Sequence, residues 1–258
     1  MTQFTRKVLD HGFVTLRNMS GPTRRAFQQP LPNGEPHDPA NILPGGLEWR
    51  PFDADDTDVA NSARMSFGGT DVERTYEIEM KLNRYLLANK HMTPFESIEV
   101  WLEMKLPIFV ARQFVRHRTA ALNEISGRYV TLPAEWYIPE IVGGKAKDKK
   151  QGQEDNLDET EQNVFRTALQ NHCVSGYEKY LTAIDRGVAA EHARMFLSLN
   201  HYTHWLWTQD LRNLMGFLSL RQHGHAQVEA RMYANAIVEL LEPQIPGLIG
   251  LYNELIKS

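Results

Sequence analysis

The run Arg-His-Arg-Thr-Ala-Ala-Leu-Asn-Glu-Ile-Ser-Gly-Arg-Tyr over residues 116–129 concentrates the chemistry of this chain. It holds three guanidiniums, one imidazole and a single carboxylate, that of Glu124. Arg116, Arg118 and Arg128 each offer a rigid fork of donors that matches phosphate, with a flat face that stacks on aromatic rings. Glu124 can accept from ring N–H groups, while Ser126 and the backbone at Gly127 can donate to oxygens. Such a segment suits a planar, anionic ligand. A solvated basic loop is the plain alternative. Small and apolar residues between the charges, and the apolar segment 106–111 before them, favour binding.

Further groups could join it. Arg194 and Arg221 sit in apolar surroundings that read as helical, where a cation needs a carboxylate or an anionic ligand. Pairing with Glu191, Glu229 or Asp210 and contact with a ligand are equally compatible with the sequence. His201 and His204 are three apart, but no carboxylate or thiolate motif completes a zinc set, so no metal is expected. No Ser/His/Asp triad is readable, and Ser126 reads as a ligand to substrate, not an attacking group. Cys173, the sole cysteine, falls on the apolar stripe of its helix, where a thiol is inert.

The elements that must position these groups read as follows. Residues 13–16 form a short strand. Residues 20–51 carry seven prolines and form a long irregular insertion. Residues 58–66 and 71–89 read as helices. From Ile98 to Leu106, apolar and polar residues alternate as in a strand with one buried face. Pro107 then opens a helix reaching about Arg116, which puts Gln113 and Arg116 on one face. The run 116–129 therefore lies at a helix end and the loop beyond, with 128–132 a candidate strand. Residues 143–160 are polar and charge-rich and read as a mobile loop. Phe165, Ala168, Leu169, His172, Tyr177, Tyr180, Leu181 and Ile184 mark a helical stripe ending near Gly187. Residues 189–203, 208–219 and 226–241 read as further helices, with Trp205 and Trp207 in the core or at a subunit interface.

Bulk properties narrow the classes. A net charge of −4 disfavours an RNA-binding module or any sequence-independent nucleic-acid binder, and fits local arginines serving a small anion. One cysteine excludes an internal disulfide and suits a reducing cytoplasm. Residues 1–7 lack a signal peptide's apolar core, and no apolar run approaches the ~20 residues that span a bilayer, so no membrane association is expected.

Arg-His-Arg, seven residues, then Ser at position 126, extended by Asn123, Glu124, Arg128 and Tyr129, resembles the signature of the flavin-dependent thymidylate synthases. His91-Met92-Thr93-Pro94-Phe95-Glu96, Ala193-Arg194, Leu199-Asn200-x-Tyr202-Thr203, Trp207-Thr208, Leu214 to Arg221 and His225-Ala226-Gln227 are similar to that family in the same order. The resemblance covers roughly residues 8–19, 57–140 and 160–240.

It implies a single domain over 1–258 with insertions near 20–51 and 143–160. The implied fold is α+β: a mixed or antiparallel sheet flanked by helices, with a mostly helical C-terminal half. The implied reaction is reductive methylation of dUMP to dTMP. FAD is the cofactor, NADPH and methylenetetrahydrofolate are co-substrates, no cysteine nucleophile takes part, and the assembly is a homotetramer with shared sites. Arg221, Arg128 and Glu124 are the implied catalytic groups. Gln113, Arg116, Glu124, Ser126, Gly127, Arg128, Arg194 and Arg221 are implied to grip dUMP. His91, Thr93, Arg116, His117, Arg118, Glu124, Asp210, Arg212, Gly216 and His225 are implied on the flavin side. Thr93-Pro94 also reads as a helix start. The chain departs from the family at Ala121, where Ser is common, and at Gly216 and Asp210, where Asn is common. An Asp210 carboxylate near a flavin phosphate calls for a partner, with Arg212 the candidate. A nucleotide- and flavin-binding regulatory protein without turnover is the alternative function.

Overall fold

The computed structural model describes residues 4–21, 54–68, 74–145 and 153–257. In chain order the elements are β1 (Thr5–Val8), β2 (Gly12–Ser20), α1 (Asp58–Arg64), α2 (Tyr76–Ala88), β3 (Glu99–Pro107), α3 (Ile108–Phe114), β4 (Ala121–Glu124), β5 (Gly143–Lys145) and β6 (Gln153–Asn156). They continue with α4 (Glu159–Asp185), α5 (Ala190–Ala193), β7 (Tyr202–Asp210), α6 (Leu211–Gln222), α7 (Val228–Leu241) and α8 (Pro246–Leu255). Turns of 3₁₀ helix occupy Met65–Phe67, Thr93–Ser97 and Arg194–Phe196.

The main sheet has the order β1-β2-β3-β7-β4 and is antiparallel throughout. This is the α+β fold the sequence implied, in its antiparallel form. β3 follows the expected alternation: Val100, Leu102, Met104 and Leu106 are buried, while Trp101, Glu103 and Lys105 face the other way. On the buried face Phe114 of α3, Trp207 of β7, Phe217 of α6 and Tyr233 of α7 meet, with Phe114 and Phe217 edge-to-face at 4.8 Å. Aromatic pairs of this geometry contribute about 0.5–1.5 kcal/mol each beyond their area, and here they lock α3 to α6. The Asp56 carboxylate accepts from Gly247 N and Leu248 N, capping α8 from a distant segment, and from Tyr76 Oη at 2.7 Å.

Several elements differ from the sequence reading. The helix expected over 189–203 is only α5 and one 3₁₀ turn, and the chain then extends into β7. Thr203, Trp205, Trp207 and Gln209 are buried, whereas His204, Leu206 and Thr208 are not, so the true period is 2. The two tryptophans are core residues of a strand. His201 and His204 therefore do not share a helical face. His201 stacks near Tyr177, while His204 bonds Glu103 Oε1 at 2.7 Å. The helix expected from 208 begins at Leu211 because the Asp210 side chain caps it, accepting from Asn213 N at 2.9 Å.

The signature run is not all loop, since residues 121–124 form edge strand β4. Residues 128–132 form no strand; Tyr129 N and Val130 N both donate to Ser126 O in a turn. In α4 the buried set is Gln162, Cys173, Gly176, Tyr180 and Ala183. Phe165, Ala168, His172 and Leu181 of the expected stripe are exposed. Residues 143–160 are not a loop throughout: β5 and β6 pair and α4 begins at Glu159, while 146–152 lie outside the described residues. The expected insertion lies outside them from 22 onward, and so do 71–73 of the expected second helix. Thr93 starts a 3₁₀ turn with Pro94 next, but its side chain does not cap it. Helix α8 was not anticipated.

Candidate active site

β3 passes into α3 without a loop. Ile108 N donates to His201 O at 3.0 Å and Phe109 N to Leu199 O at 2.9 Å, which fix the start of the helix against the segment before β7. α3 buries Val110, Ala111 and Phe114, so Gln113 is left half-buried at its rim. His117 follows one turn later, its N–H donating to Phe114 O. Its ring meets the buried Phe217 edge-on, centroids 4.9 Å apart.

Arg221 lies one turn beyond Phe217 on α6. Its Nη2 donates to Gln113 O at 2.9 Å and stands 3.2 Å from His117 Nε2. Its Nε is buried without a hydrogen-bond partner among the described residues. Burial draws down the proton affinity of Arg221. The same cause, followed by the Arg221 charge, pulls His117 below its ordinary value. Gln113 Nε2 donates to Gln227 Oε1, at the N-terminus of α7. Three helices thus converge on one polar cluster at the edge of the aromatic core.

A second cluster forms where β4 ends. Glu124 stands opposite Trp205 in the register, and Thr203 Oγ1 donates to its carboxylate. Ile125 N then donates to His204 O, and the chain turns at Ser126–Val130. Arg128 N donates to Ser126 Oγ at 3.3 Å, and Arg128 Nη2 to Tyr129 Oη at 2.9 Å. Gly127 is buried; a Cβ there would lie 3.1 Å from Leu132 Cδ1 and 3.5 Å from Arg194 Cδ. Arg194, in the 3₁₀ turn after α5, is exposed, contrary to the buried position expected for it, and its side-chain stem lies against Gly127. Arg194 therefore lies against the Ser126–Val130 turn at Gly127, although the two are far apart in the chain.

The expected flavin-side groups lie around α6 and its surroundings. The Thr93–Ser97 turn packs on α6, and Glu96 pairs with Arg212. Arg212 is thus engaged by Glu96, and Asp210 is satisfied as the α6 cap, bonding Asn213 through both oxygens. The suggested Asp210–Arg212 pair is replaced by these two contacts. His91 is exposed beside Tyr85, and Arg116 and Arg118 are exposed beyond α3. His225 is exposed next to His223. Gly216 is exposed on α6, and a Cβ there would meet nothing within 4 Å among the described residues. Exposed guanidiniums, a half-buried arginine with an orphaned N–H, and an open helix face fit a large ligand that carries phosphates and a flat ring.

Two contributors went unassigned at the sequence level, Thr203 and Gln227. Both fall in segments that resemble the family, but their partners lie 79 and 114 positions away. A cleft of about 510 Å³ on the opposite face of the sheet, lined by Arg17, Trp101, Glu103, Asn123, His204 and Leu206 among others, includes none of the expected site residues.

Comparison with known proteins decides the lineage. The family described as "Thymidylate synthase complementing protein" (Thy1) matches residues 51–247. The chain belongs to this family. Relatives called flavin-dependent thymidylate synthase include that of Gluconobacter oxydans, 41% identical over 223 residues, covering 84% of this chain and 73% of the relative. That of Treponema denticola is 44% identical over 195 residues, covering 74% and 72%. Among solved structures, the UMP/dUMP methylase PolB from Streptomyces cacaoi bound with 5-Br dUMP superposes with a TM-score of 0.72 at 29% identity, covering 80% of this chain and 93% of that one.

Proposed function

We propose that this chain is a flavin-dependent thymidylate synthase that methylates dUMP reductively to dTMP. Methylenetetrahydrofolate gives the carbon and NADPH the electrons. The observation that carries the reading is Arg221, held by Gln113 O and facing His117 Nε2 with a buried N–H to spare, in a chain of the Thy1 family. Bound FAD supplies the hydride chemistry that amino-acid side chains lack. Everything else is the work of the protein. Arg221 and Arg128 offer donors to negative charge developing on the pyrimidine. Gln113, Arg116, Ser126, Gly127, Arg128 and Arg194 grip the nucleotide, with Arg194 toward its phosphate. Thr203 holds one oxygen of Glu124, which leaves the other to accept from a ring N–H. His91, Thr93, Arg116, His117, Arg118, Glu124, Asp210, Arg212, Gly216 and His225 face the cofactor side.

We further propose a homotetramer with shared sites, in a reducing cytoplasm. Large apolar side chains left uncovered around α4 and Arg194 support the assembly: Val164, Phe165, Met195, Phe196 and Leu199. Among the described residues no helix is long and apolar enough to cross a membrane.

Titration of the apo-protein with FAD in the presence of dUMP, followed by anaerobic NADPH and methylenetetrahydrofolate, tests the activity. Saturable flavin binding, bleaching of its absorbance and labelled dTMP are expected; no flavin binding would remove the reading. Arg221→Ala should lower dTMP formation about 10²–10³-fold with smaller damage to flavin affinity, since one well-aimed donor is worth that much. Light scattering on the eluting protein reads the assembly.

A further inference from the structure

We infer that His117, as a neutral ring, is the positioning residue that aims Arg221 at the reacting pyrimidine. The inference rests on the proposed role of Arg221 and adds to it the group that holds it in place.

A guanidinium has only donors. The 3.2 Å contact between Arg221 Nη2 and His117 Nε2 is therefore a hydrogen bond only if Nε2 carries a lone pair. That requires a neutral imidazole with its proton on Nδ1. Nη2 has two protons. One goes to Gln113 O at 2.9 Å, the other to His117, so both are used. Two acceptors from different segments, one in α3 and one just beyond it, fix the plane of the fork. Nη1 is left for substrate, while Nε is enclosed by the protein with no hydrogen-bond partner among the described residues.

The ring is itself held. Its N–H in the backbone bonds Phe114 O, and Phe217 meets it edge-on at 82°. Phe217 and Arg221 are one turn apart on the same helix, so one face of α6 sets both partners. A protonated ring would reverse the contact, placing two cations 3.2 Å apart. Arg221 faces the ring from α6; Phe217 on α6 and Gln113 and Phe114 on α3 are uncharged; Arg116 and Arg118 flank it in sequence and are exposed. Burial and the Arg221 charge both favour the neutral form. A catalytic donor works by being aimed before the reaction begins, and His117 is the group whose chemistry can do that here.

Two measurements test this. In the apo-protein, ¹⁵N resonances of labelled His117 should show the proton on Nδ1 at pH 7.5 and titrate below the ordinary histidine value, and Arg221→Gln should return the titration toward that value. In the enzyme, His117→Phe keeps the ring packing but loses the acceptor. Its kcat at saturating FAD should fall about 10- to 100-fold, the loss of one charge-assisted hydrogen bond, while dUMP KM changes less than about threefold. His117→Gln restores an acceptor that does not titrate; it should recover most of kcat and lose the acid limb of the kcat–pH profile. A His117 proton on Nε2, a His117→Phe enzyme with wild-type kcat, a kcat loss that saturating FAD restores, or a His117→Gln enzyme that keeps the acid limb would each overturn the inference. Should His117→Phe fail to fold, as judged by circular dichroism, His117→Gln and the resonance titration carry the test. A wild-type protein that binds FAD and dUMP yet forms no dTMP sinks the proposed function alone; the resonance titration still reads the contact.

Discussion

Acidification should destabilise this protein through His201. The residue is 2% exposed, stacked near Tyr177 at 16° between ring planes, and its Nε2 has no hydrogen-bond partner among the described residues. Burial holds its pKa down to about 4; the Glu135 carboxylate pulls it back up and the Lys105 ammonium pushes it further down. In the unfolded chain the same imidazole takes a proton near pH 6.5. Between those values the unfolded state binds one proton more than the folded state. Stability therefore falls as pH falls, by about 1.4 kcal/mol per unit. Over the span from 6.5 to about 4 this amounts to ~3 kcal/mol, present above pH 6.5 and lost below about 4. A small domain has only about 5–15 kcal/mol in total, so the loss is large. His201→Phe keeps a flat ring and removes the titration. Any packing cost it brings is the same at every pH and cancels in the slope. Urea unfolding of both proteins from pH 7.5 to 4.5 gives the comparison. The wild type should lose stability faster than the variant below pH 6.5. Parallel curves would refute the reasoning and show that the ring is solvated or bonded in a way that accommodates its charge.

Other expectations follow from single contacts. Glu99 stands directly opposite Asp210 in the β3–β7 register, and burial followed by that neighbouring charge raises its carboxyl. A raised acid is comfortable below its unfolded pKa and costs stability as pH rises, so Glu99→Gln should gain about 0.2–1 kcal/mol at pH 7 and nothing at pH 4, by thermal unfolding. Gly216→Ala should stabilise by about 0.5–1 kcal/mol, because its helical site is exposed and open, and a loss on denaturant unfolding would show a hidden neighbour. Cys173→Ala should keep most of its turnover number while losing ~1 kcal/mol from a small cavity; steady-state kinetics on folded variant with FAD and dUMP bound decide, and a fall of several orders of magnitude would restore a thiol mechanism.

The sheet's central strand was legible because one face of it is buried. Val100, Leu102, Met104 and Leu106 alternate with polar neighbours, and nothing else produces that pattern. β7 was not, although its burial alternates just as well. Trp205, Leu206 and Trp207 are all large and apolar, so the letters blur a period that only burial resolves. Leu206 is exposed on the outer sheet face while both tryptophans are in the core. β4 was illegible for another reason: all four of its residues are exposed, and its strand geometry comes from pairing with β7 rather than from its own sequence. In α4 hydrophobicity named the face only in part: Tyr180 is buried with Tyr177 and Ile184 packed beside it, but Gln162, Gly176 and Ala183 are buried too while Phe165 and Leu181 point outward.

Residue types in the site were readable; their engagement was not. The arginines of the signature announced an anion, but the sequence could not say that Arg194 would be exposed against Gly127 and Arg221 half-buried against His117. That difference matters to the chemistry. An exposed arginine is a screened charge suited to a phosphate that arrives from water. A half-buried one, with its fork pinned by two acceptors, is suited to charge that appears only during reaction. Attack on a pyrimidine ring by a thiolate would make the second kind of arginine less necessary. The only thiol here, Cys173, is buried between α4 and the segment before β7, with Sγ 3.4 Å from Ser198 Oγ and 3.3 Å from Asn200 Nδ2. Asn200 in turn bonds Tyr137 O, so the thiol belongs to a packing knot that ties three segments together. With no thiol free to add to the ring, the proposed reaction needs oriented charge to activate the pyrimidine, and Arg221, pinned by Gln113 O and His117 Nε2, is the residue we propose for it.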